Sequence, residues 1–228
     1  MIKSLLAAAT IAIVSLSHSQ AGAATVDLTT GPQSPHFVGF RGSSTRGFER
    51  SSLQAGGAAA GVVIEYRSCL VFDLAGIQGR VTNAEVLMFN GIVQSPNETE
   101  TLALNDFSAS LADVFFNFNQ AMFDDLKIGV QYGADSEFSA AASQTTVRTI
   151  QLNAPAINAI NATLGGYFMM GAYLQSLDPQ NDSHQSIAMG AALHPITLRL
   201  TVVPEPTAAM LVVPAIICLA SIRRRSVA

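Results

Sequence analysis

The sequence predicts a mainly β protein, a single antiparallel β-sandwich of jelly-roll-like type with one short helix. Two observations lead to this prediction. Short segments rich in β-branched and aromatic residues are separated by clusters of Gly, Ser, Asn and Pro, a pattern typical of sandwiches and barrels. Several segments also alternate apolar and polar residues, so that every second side chain of a strand lies on the same face.

Two segments flank the predicted domain. At the amino end, a basic start and an apolar stretch lead to an A-x-A cleavage site at Ala21 and Ala23, so residues 1–23 have the three regions of a secretory signal peptide. At the carboxyl end lies an apolar tail, residues 204–228. The predicted domain therefore spans residues 24–203, which is long enough to bury a sizeable core.

The tail contains an uncharged run from Thr207 to Ile222 that predicts a short hydrophobic helix, a weak and temporary membrane anchor. The run is shorter than the roughly 20 residues of a spanning helix, and Pro214 lies within it. The arginines that follow should stay on the cytoplasmic side by the positive-inside rule. The residues before the run are Val203, Pro204, Glu205 and Pro206, and those after it are Arg223, Arg224 and Arg225.

This tail resembles the PEP-CTERM sorting signal of exported bacterial proteins. The resemblance rests on three parts in order: the Val-Pro-Glu-Pro motif, the apolar run and the arginine cluster. It implies transient anchoring in the inner membrane and cleavage near the motif by an exosortase-type protease. It also implies delivery to the cell surface or extracellular matrix, often in bacteria that make exopolysaccharide. The alternative is an ordinary C-terminal anchor.

Residues 24–203 are acidic, because they carry 8 Lys and Arg against 15 Asp and Glu, a net charge of −7. An acidic surface argues against nucleic acid and anionic lipid as partners. The same range contains one cysteine, Cys69, since Cys218 lies in the tail. The apolar residues that follow Cys69 predict a buried thiol rather than a reactive one.

The predicted strands follow the apolar segments in chain order. They cover residues 25–30, 37–40, 62–74, 80–89, 101–104, 145–152, 167–174, 185–191 and 196–203. Side chains of the last strand, residues 196–203, point alternately inward and outward, with Ile196 inward and Arg199 outward. Residues 41–61, which are rich in Gly, Ser and Ala, predict a long loop. In the strand over residues 62–74, one face is apolar and the other carries polar residues that include Arg67.

The strand–turn–strand unit that begins at Arg67 resembles the DNRLRE-like family of exported β-sandwich modules. The matching segments are residues 67–74, 77–79 and 81–86, which read as a strand ending in Phe-Asp-Leu, a Gly turn and a second strand. Val86 stands where that family usually has Leu, and the tryptophan common in the family is absent. The resemblance implies a sandwich fold.

One helix is predicted after Asn153, which acts as its N-cap, with Pro155 in the first turn and Gly165 just beyond its end. Residues 111–126 leave two interpretations open. They form either a strand followed by a loop, or a short helix around residues 120–126.

No set of residues predicts a catalytic site. Residues 24–203 hold three widely separated histidines and no nucleophile-elbow motif. We therefore expect a structural or adhesive protein without catalytic activity or cofactor, and a hydrolase is the third hypothesis. A structural calcium site is a further alternative, because oxygen-rich loops suit calcium. Its candidate ligands are Asp178, Asn181 and Asp182, with Asp124-Asp125 as a second acidic pair.

The second functional hypothesis is a carbohydrate-binding module for exopolysaccharide, which follows from the family of the sorting tail. Sugar sites usually offer aromatic side chains beside polar groups. The sequence has no Trp, and its four tyrosines lie in or next to predicted strands, where we expect them to pack in the core. They are Tyr66, Tyr132, Tyr167 and Tyr173.

Overall fold

The computed structural model describes residues 23–30, 37–43, 47–51, 54–59, 63–178, 184–189 and 195–205. Within these residues the chain forms thirteen strands and three helices. Residues 1–22 and 206–228, which contain most of the predicted signal peptide and sorting tail, lie outside the described residues.

The first seven strands are β1 (Ala24–Thr30), β2 (Phe37–Ser43), β3 (Gly47–Ser51), β4 (Gln54–Ala59), β5 (Val63–Asp73), β6 (Arg80–Phe89) and β7 (Ile92–Gln94). The remaining strands are β8 (Glu100–Asp106), β9 (Gln131–Phe138), β10 (Val147–Gln151), β11 (Tyr167–Leu174), β12 (Gln185–Ala188) and β13 (Ile196–Val203). The helices are α1 (Leu111–Phe116), α2 (Gln120–Asp125) and α3 (Ala154–Ala162).

The strands form two sheets. The smaller has the order β1-β13-β6-β10, so the first and last strands of the described residues are neighbours. The larger has the order β7-β12-β4-β5-β11-β8-β9, and β2 pairs with both β5 and β3. The registered pairings are antiparallel, as where β10 places Ile150 opposite Val86 of β6. The predicted fold class, a mainly β chain with antiparallel sheets in a sandwich-like arrangement, is confirmed.

The chain divides into two compact units. One comprises residues 25–77 and 81–201 and contains most of both sheets, whereas the other comprises residues 1–24, 78–80 and 202–228.

The four-stranded sheet has one buried face and one face towards solvent. Along β13, Ile196, Leu198 and Leu200 are buried, and the residues between them are partly exposed. The same alternation runs through the second half of β6. This agrees with the inward and outward faces that the sequence predicts for the last strand.

Strand β5 differs from the prediction, because both of its faces are buried. Leu70 and Phe72 lie on one face and Cys69 and Val71 on the other, and none of the four is more than 1% exposed. The prediction of one polar face is therefore wrong for the second half of this strand, although the predicted burial of Cys69 is confirmed. A strand with both faces covered reads as a continuous apolar run.

Helices α1 and α2 cover the second face of β5 and form a core cluster with it. The buried members of the cluster are Cys69, Val71, Phe107, Val114, Phe123 and Leu126. Each helix begins at a side-chain cap, since Ser110 accepts from the amide of Asp113 and Asn119 from the amide of Met122. The described residues thus contain three helices. Helix α2 agrees with the second interpretation of residues 111–126, a short helix around residues 120–126, whereas α1 is not predicted. Helices of six residues are too short to show a repeating apolar stripe.

Helix α3 matches its prediction. The side chain of Asn153 accepts a hydrogen bond from the amide of Ala156 at 3.2 Å, and Pro155 lies in the first turn. Ile160 is fully buried, and Gly165 follows the end of the helix with a φ of 82°.

The predicted long loop over residues 41–61 is wrong, because strands β3 and β4 lie within it. In β4, a Cβ on Gly56 would lie 2.1 Å from the carbonyl oxygen of Gln185 in the neighbouring strand β12, and its φ of 130° also requires glycine. The glycines therefore permit close strand approach here instead of marking a loop. Strands β7 and β9 are also absent from the prediction.

A buried arginine ties β5 to α2. The guanidinium of Arg67 donates to both carboxylate oxygens of Glu65, at 2.9 and 2.8 Å, and to the carbonyl oxygen of Phe123 at 2.6 Å. It also lies 4.2 Å from the centre of the Phe123 ring. Although the sequence places Arg67 on a polar face, its side chain is only 8% exposed, because α2 covers it.

The approach of α2 to the sheet depends on Gly171 in β11. A Cβ at this position would lie 2.2 Å from the carbonyl oxygen of Leu126, the residue that ends α2. We predict that Gly171→Ala lowers the free energy of unfolding by about 1–3 kcal/mol, because the helix must move to admit a methyl group. Urea unfolding of the two proteins measures this difference.

Gly76→Ala is the matched control, since no atom lies within 4 Å of a Cβ placed there. We expect it to change stability by less than about 0.5 kcal/mol. Equal unfolding midpoints for Gly171→Ala and the unmodified protein would contradict the close approach.

Candidate functional site

A groove of about 180 Å³ lies on the outer face of the four-stranded sheet and is the candidate site. Strands β1, β6, β10 and β13 contribute to it, so its lining combines residues from both ends and the middle of the chain. The lining includes Asp27, Leu87, Phe89, Val147, Thr197 and Arg199.

The polar side of the groove is built around Arg199. Its guanidinium donates to both carboxylate oxygens of Asp27, at 2.8 and 3.0 Å, and Nη1 donates to Glu85 Oε1 at 3.4 Å. The side chains of Arg199 and Asp27 are 40% and 45% exposed, so this ion pair is open to ligand and to water.

The apolar side of the groove consists of Leu87 and Phe89 from β6 and Val147 from β10. The pairing of the two strands places Val147 directly opposite Phe89. Val147 is 52% exposed, and together with Leu87 and Phe89 it gives this face of the sheet an apolar patch. An apolar surface thus lies beside three charged groups on the same sheet face.

The electrostatics of the groove follow from the ion pair. Hydrogen bonds from the Arg199 guanidinium lower the pKa of the Asp27 carboxyl, and the same contacts raise the pKa of Arg199. Asp27 and Arg199 are therefore both ionised near neutral pH. With Glu85 included, two carboxylates surround one guanidinium and leave one negative charge in excess.

This arrangement suits an uncharged ligand with several hydroxyl groups. Carboxylate oxygens accept hydrogen bonds from hydroxyls, the guanidinium donates to them, and an apolar wall packs against C–H groups. The groove is smaller than the roughly 300–1,000 Å³ of a pocket for a drug-sized molecule. It therefore has room for one ring of a longer chain rather than for a whole compact ligand.

No protein-family model matches this chain, and no curated protein does either. What the groove binds must follow from its own geometry and charge.

The predicted sorting motif lies partly within the described residues. Val203 ends β13, and Pro204 and Glu205 follow it without regular secondary structure, all three exposed. The remaining tail positions lie outside the described residues; these are Pro206, Thr207, Pro214, Ile222, Arg223, Arg224 and Arg225. In the part of the chain that is described, no helix is both long and apolar enough to cross a membrane.

The predicted signal cleavage site is likewise described in part. Ala23 is exposed and directly precedes β1, whereas Ala21 lies outside the described residues. The cleavage prediction thus falls at the start of the first strand.

Of the three predicted calcium ligands in the loop after β11, only Asp178 lies within the described residues. Asp178 is exposed, and Asn181 and Asp182 lie outside the described ranges. Asp124 accepts from the side chain of Gln120, and Asp125 accepts from Ser108. Nowhere in the described ranges do three or more His, Cys, Asp or Glu side chains group as metal ligands would.

The tyrosines divide between core and surface. Tyr132 and Tyr173 are buried, as predicted, and the Tyr132 ring stacks on Phe168 with 5.8 Å between the ring centres. Tyr66 is half-buried, and Tyr167 is 40% exposed, so the prediction of core packing is wrong for Tyr167. None of the four lines the groove.

The charged groups of the groove were not identified as a site from the sequence. Arg199 is separated from Asp27 by 172 positions and from Glu85 by 114. Strand parity predicts that Arg199 points outward, but only the order of the strands in the sheet brings its partners beside it. The available signal was therefore one outward arginine in an alternating strand.

The ion pair predicts a specific dependence on pH. Because the pKa of Asp27 is lower in the folded chain than in the unfolded one, its contribution to stability is present above about pH 3.9 and is lost as the pH falls through the folded pKa. We predict that Arg199→Gln raises the pKa of Asp27 towards about 3.9. NMR titration of the Asp27 carboxyl carbon measures the change.

Arg80→Gln removes an exposed arginine that does not contact Asp27 and serves as the control. It should leave the Asp27 titration unchanged. An Asp27 pKa unaffected by Arg199→Gln would show that the ion pair does not persist in solution.

Proposed function

We propose that the protein is exported and delivered to the cell surface or extracellular matrix, where its β-domain has a structural or adhesive role. The observation that carries this proposal is the combination of a signal-peptide pattern before β1 with the Val-Pro-Glu-Pro motif, apolar run and arginine cluster after β13. The resemblance of the motif to a sorting signal implies an exosortase-type protease as the processing partner, with transient attachment to the membrane before cleavage.

The position of the motif in the fold supports this proposal. Strand β13 ends at Val203, and the exposed Pro204 and Glu205 follow at once. Proteases cleave exposed segments outside regular structure, where the backbone can enter an active site. Cleavage after β13 would leave the strands of both sheets intact.

The character of the domain also fits an extracellular structural role. Residues 24–203 carry a net charge of −7, which favours solubility and disfavours binding to polyanions. Their single cysteine, Cys69, is fully buried, and burial raises the pKa of its thiol, so that it stays protonated in an oxidising compartment.

The sorting proposal is tested by changing the motif in the full chain. In a bacterium that makes an exosortase and exopolysaccharide, we expect replacement of Pro204, Glu205 and Pro206 by Ala to keep the protein in the membrane fraction. The unmodified chain should appear in the surface and matrix fractions with a lower mass. Immunoblots of the fractions measure both properties.

Glu98 is an exposed acidic residue in the β7–β8 connection. The Glu98→Ala variant controls for the loss of one negative charge, and we expect it to be processed normally. Equal release of the motif variant and the unmodified chain would refute sorting through this motif, and retention of both in the membrane fraction would indicate an ordinary anchor.

A second candidate function is binding of exopolysaccharide, which the groove favours. Its Asp27–Arg199–Glu85 cluster supplies acceptors and donors for sugar hydroxyls, and Leu87, Phe89 and Val147 supply the apolar wall. The absence of tryptophan from the chain does not weaken this proposal, because Phe89 and the aliphatic residues provide apolar surface.

We predict that the protein retains the exopolysaccharide of its own host in a pull-down and that Arg199→Ala reduces the bound fraction at least about tenfold, or roughly 1.4 kcal/mol. The expected loss follows from removing the donor at the centre of the polar side. Arg80→Ala, outside the groove lining, should bind like the unmodified protein. Equal retention by the Arg199 and Arg80 variants would rule out the groove as the sugar site.

A further inference from the structure

A buried carboxylate lies near one edge of the larger sheet, away from the groove. Glu100 at the start of β8 is 1% exposed, and no ion pair joins it to a Lys, Arg or His among the described residues. Its oxygens instead accept hydrogen bonds from four uncharged side chains. These are Ser95, Asn97, Ser176 and Gln185.

The carboxamide of Gln185 is held from two sides. Its nitrogen donates to Glu100 Oε1 at 3.3 Å, and its oxygen accepts from the backbone amide of Asp178 at 2.8 Å. Gln185 is completely buried. The amide of Asp178 therefore points at the atom that becomes negatively charged when the carboxamide carbon is attacked.

Ser95 is the nucleophile best placed for such an attack. The pairing of β12 with β7 places Ser186 opposite Gln94, and one step further along this register brings Gln185 beside Ser95. The Ser95 hydroxyl donates to Glu100 Oε1, the same oxygen that Gln185 contacts. Ser176 contacts the other oxygen, Oε2.

We propose that Ser95 and Gln185 are joined by an ester cross-link that the folded protein forms itself. Glu100 takes the proton from the Ser95 hydroxyl as Oγ attacks the carboxamide carbon of Gln185. The tetrahedral intermediate then loses the amide nitrogen, which leaves as ammonia with the proton held by Glu100. One C–O bond forms and one C–N bond breaks, and no oxidant, reductant or cofactor is needed.

The surroundings favour this reaction and preserve its product. A nucleophile, a general base, an electrophile and an oxyanion donor meet around the buried side chains of Glu100 and Gln185, with Ser95 partly buried beside them, and their fixed orientation lowers the barrier. Complete burial of Gln185 limits the access of water to the ester carbon. The link would join the β7–β8 connection to β12 and constrain the unfolded chain as a disulfide does. Residues 24–203, with one cysteine, have no internal disulfide to do this.

The test is the mass of the full chain, purified after expression and measured intact under denaturing conditions. We expect a mass one ammonia below that of the same processed chain without a link. Trypsin should yield residues 81–127 and 149–199 as one linked species, because these peptides contain Ser95 and Gln185. Hydroxylamine should separate them by cleaving the ester.

Three variants assign the roles. Ser95→Ala and Glu100→Gln should have the full mass, whereas Ser176→Ala should keep the link. A mass loss confined to peptide 81–127 alone would come from ring closure at Asn90-Gly91 and would overturn the proposal. The full mass in the unmodified protein, with a near-UV circular dichroism spectrum of a folded chain, would also overturn it. Loss of the link in Ser176→Ala, but not in Ser95→Ala, would refute Ser95 as the nucleophile.

Discussion

Burial of strand β5 on both faces is the constraint on which the rest of the described structure depends. Leu70 and Phe72 lie on one side of the strand and Cys69 and Val71 on the other. Apolar residues must therefore pack against both faces of the strand. The buried faces of the sheets supply one cover, and α1 and α2 supply the other. Neighbouring strands are also fixed through β5, since the hydroxyl of Ser68 both donates to and accepts from the backbone of Gln54 in β4.

The larger sheet buries charge in two different ways. Arg67 is neutralised by Glu65 and also donates to helix carbonyl oxygens. Removing Glu65 would leave Arg67 as a buried charge without this partner. Glu100 has no cation and depends on neutral donors from several chain segments. Buried charges of either kind are tolerated only when they are paired or hydrogen-bonded. The first arrangement fixes a helix, and the second gathers side chains from β12 and from the segments after β7 and β11 around one carboxylate.

The sequence predicts the elements whose signals are local. The alternation in β13, the N-cap at Asn153 and the apolar run of β5 are readable without tertiary information, and the structure has an element at each place. Strand β4 was missed because its glycines resemble those of a loop. Gly56 is instead required by the close approach of β12, a contact between distant parts of the chain. Strand β9 was missed because polar residues and a glycine interrupt it and half of its eight residues are exposed.

The candidate site was predictable to a smaller extent than the fold. The groove depends on the order β1-β13-β6-β10, which joins Asp27, Arg199 and Glu85 across most of the chain. The order of strands follows from the packing of the whole domain, and periodicity within one strand carries no information about it. The proposed sorting motif can be predicted from the sequence because its three parts are contiguous.

The two-sided burial of β5 also bears on the chain before it folds. Ser68 to Phe72 is a short segment of high β-propensity without charge, the composition that forms intermolecular sheets when exposed. Arg67 precedes this segment and Asp73 follows it, as charged gatekeepers do in natural sequences. In the folded chain Arg67 binds α2, and in the unfolded chain the same charge opposes aggregation. A substitution at Arg67 would therefore act twice, first on solubility during folding and then on the attachment of the helix.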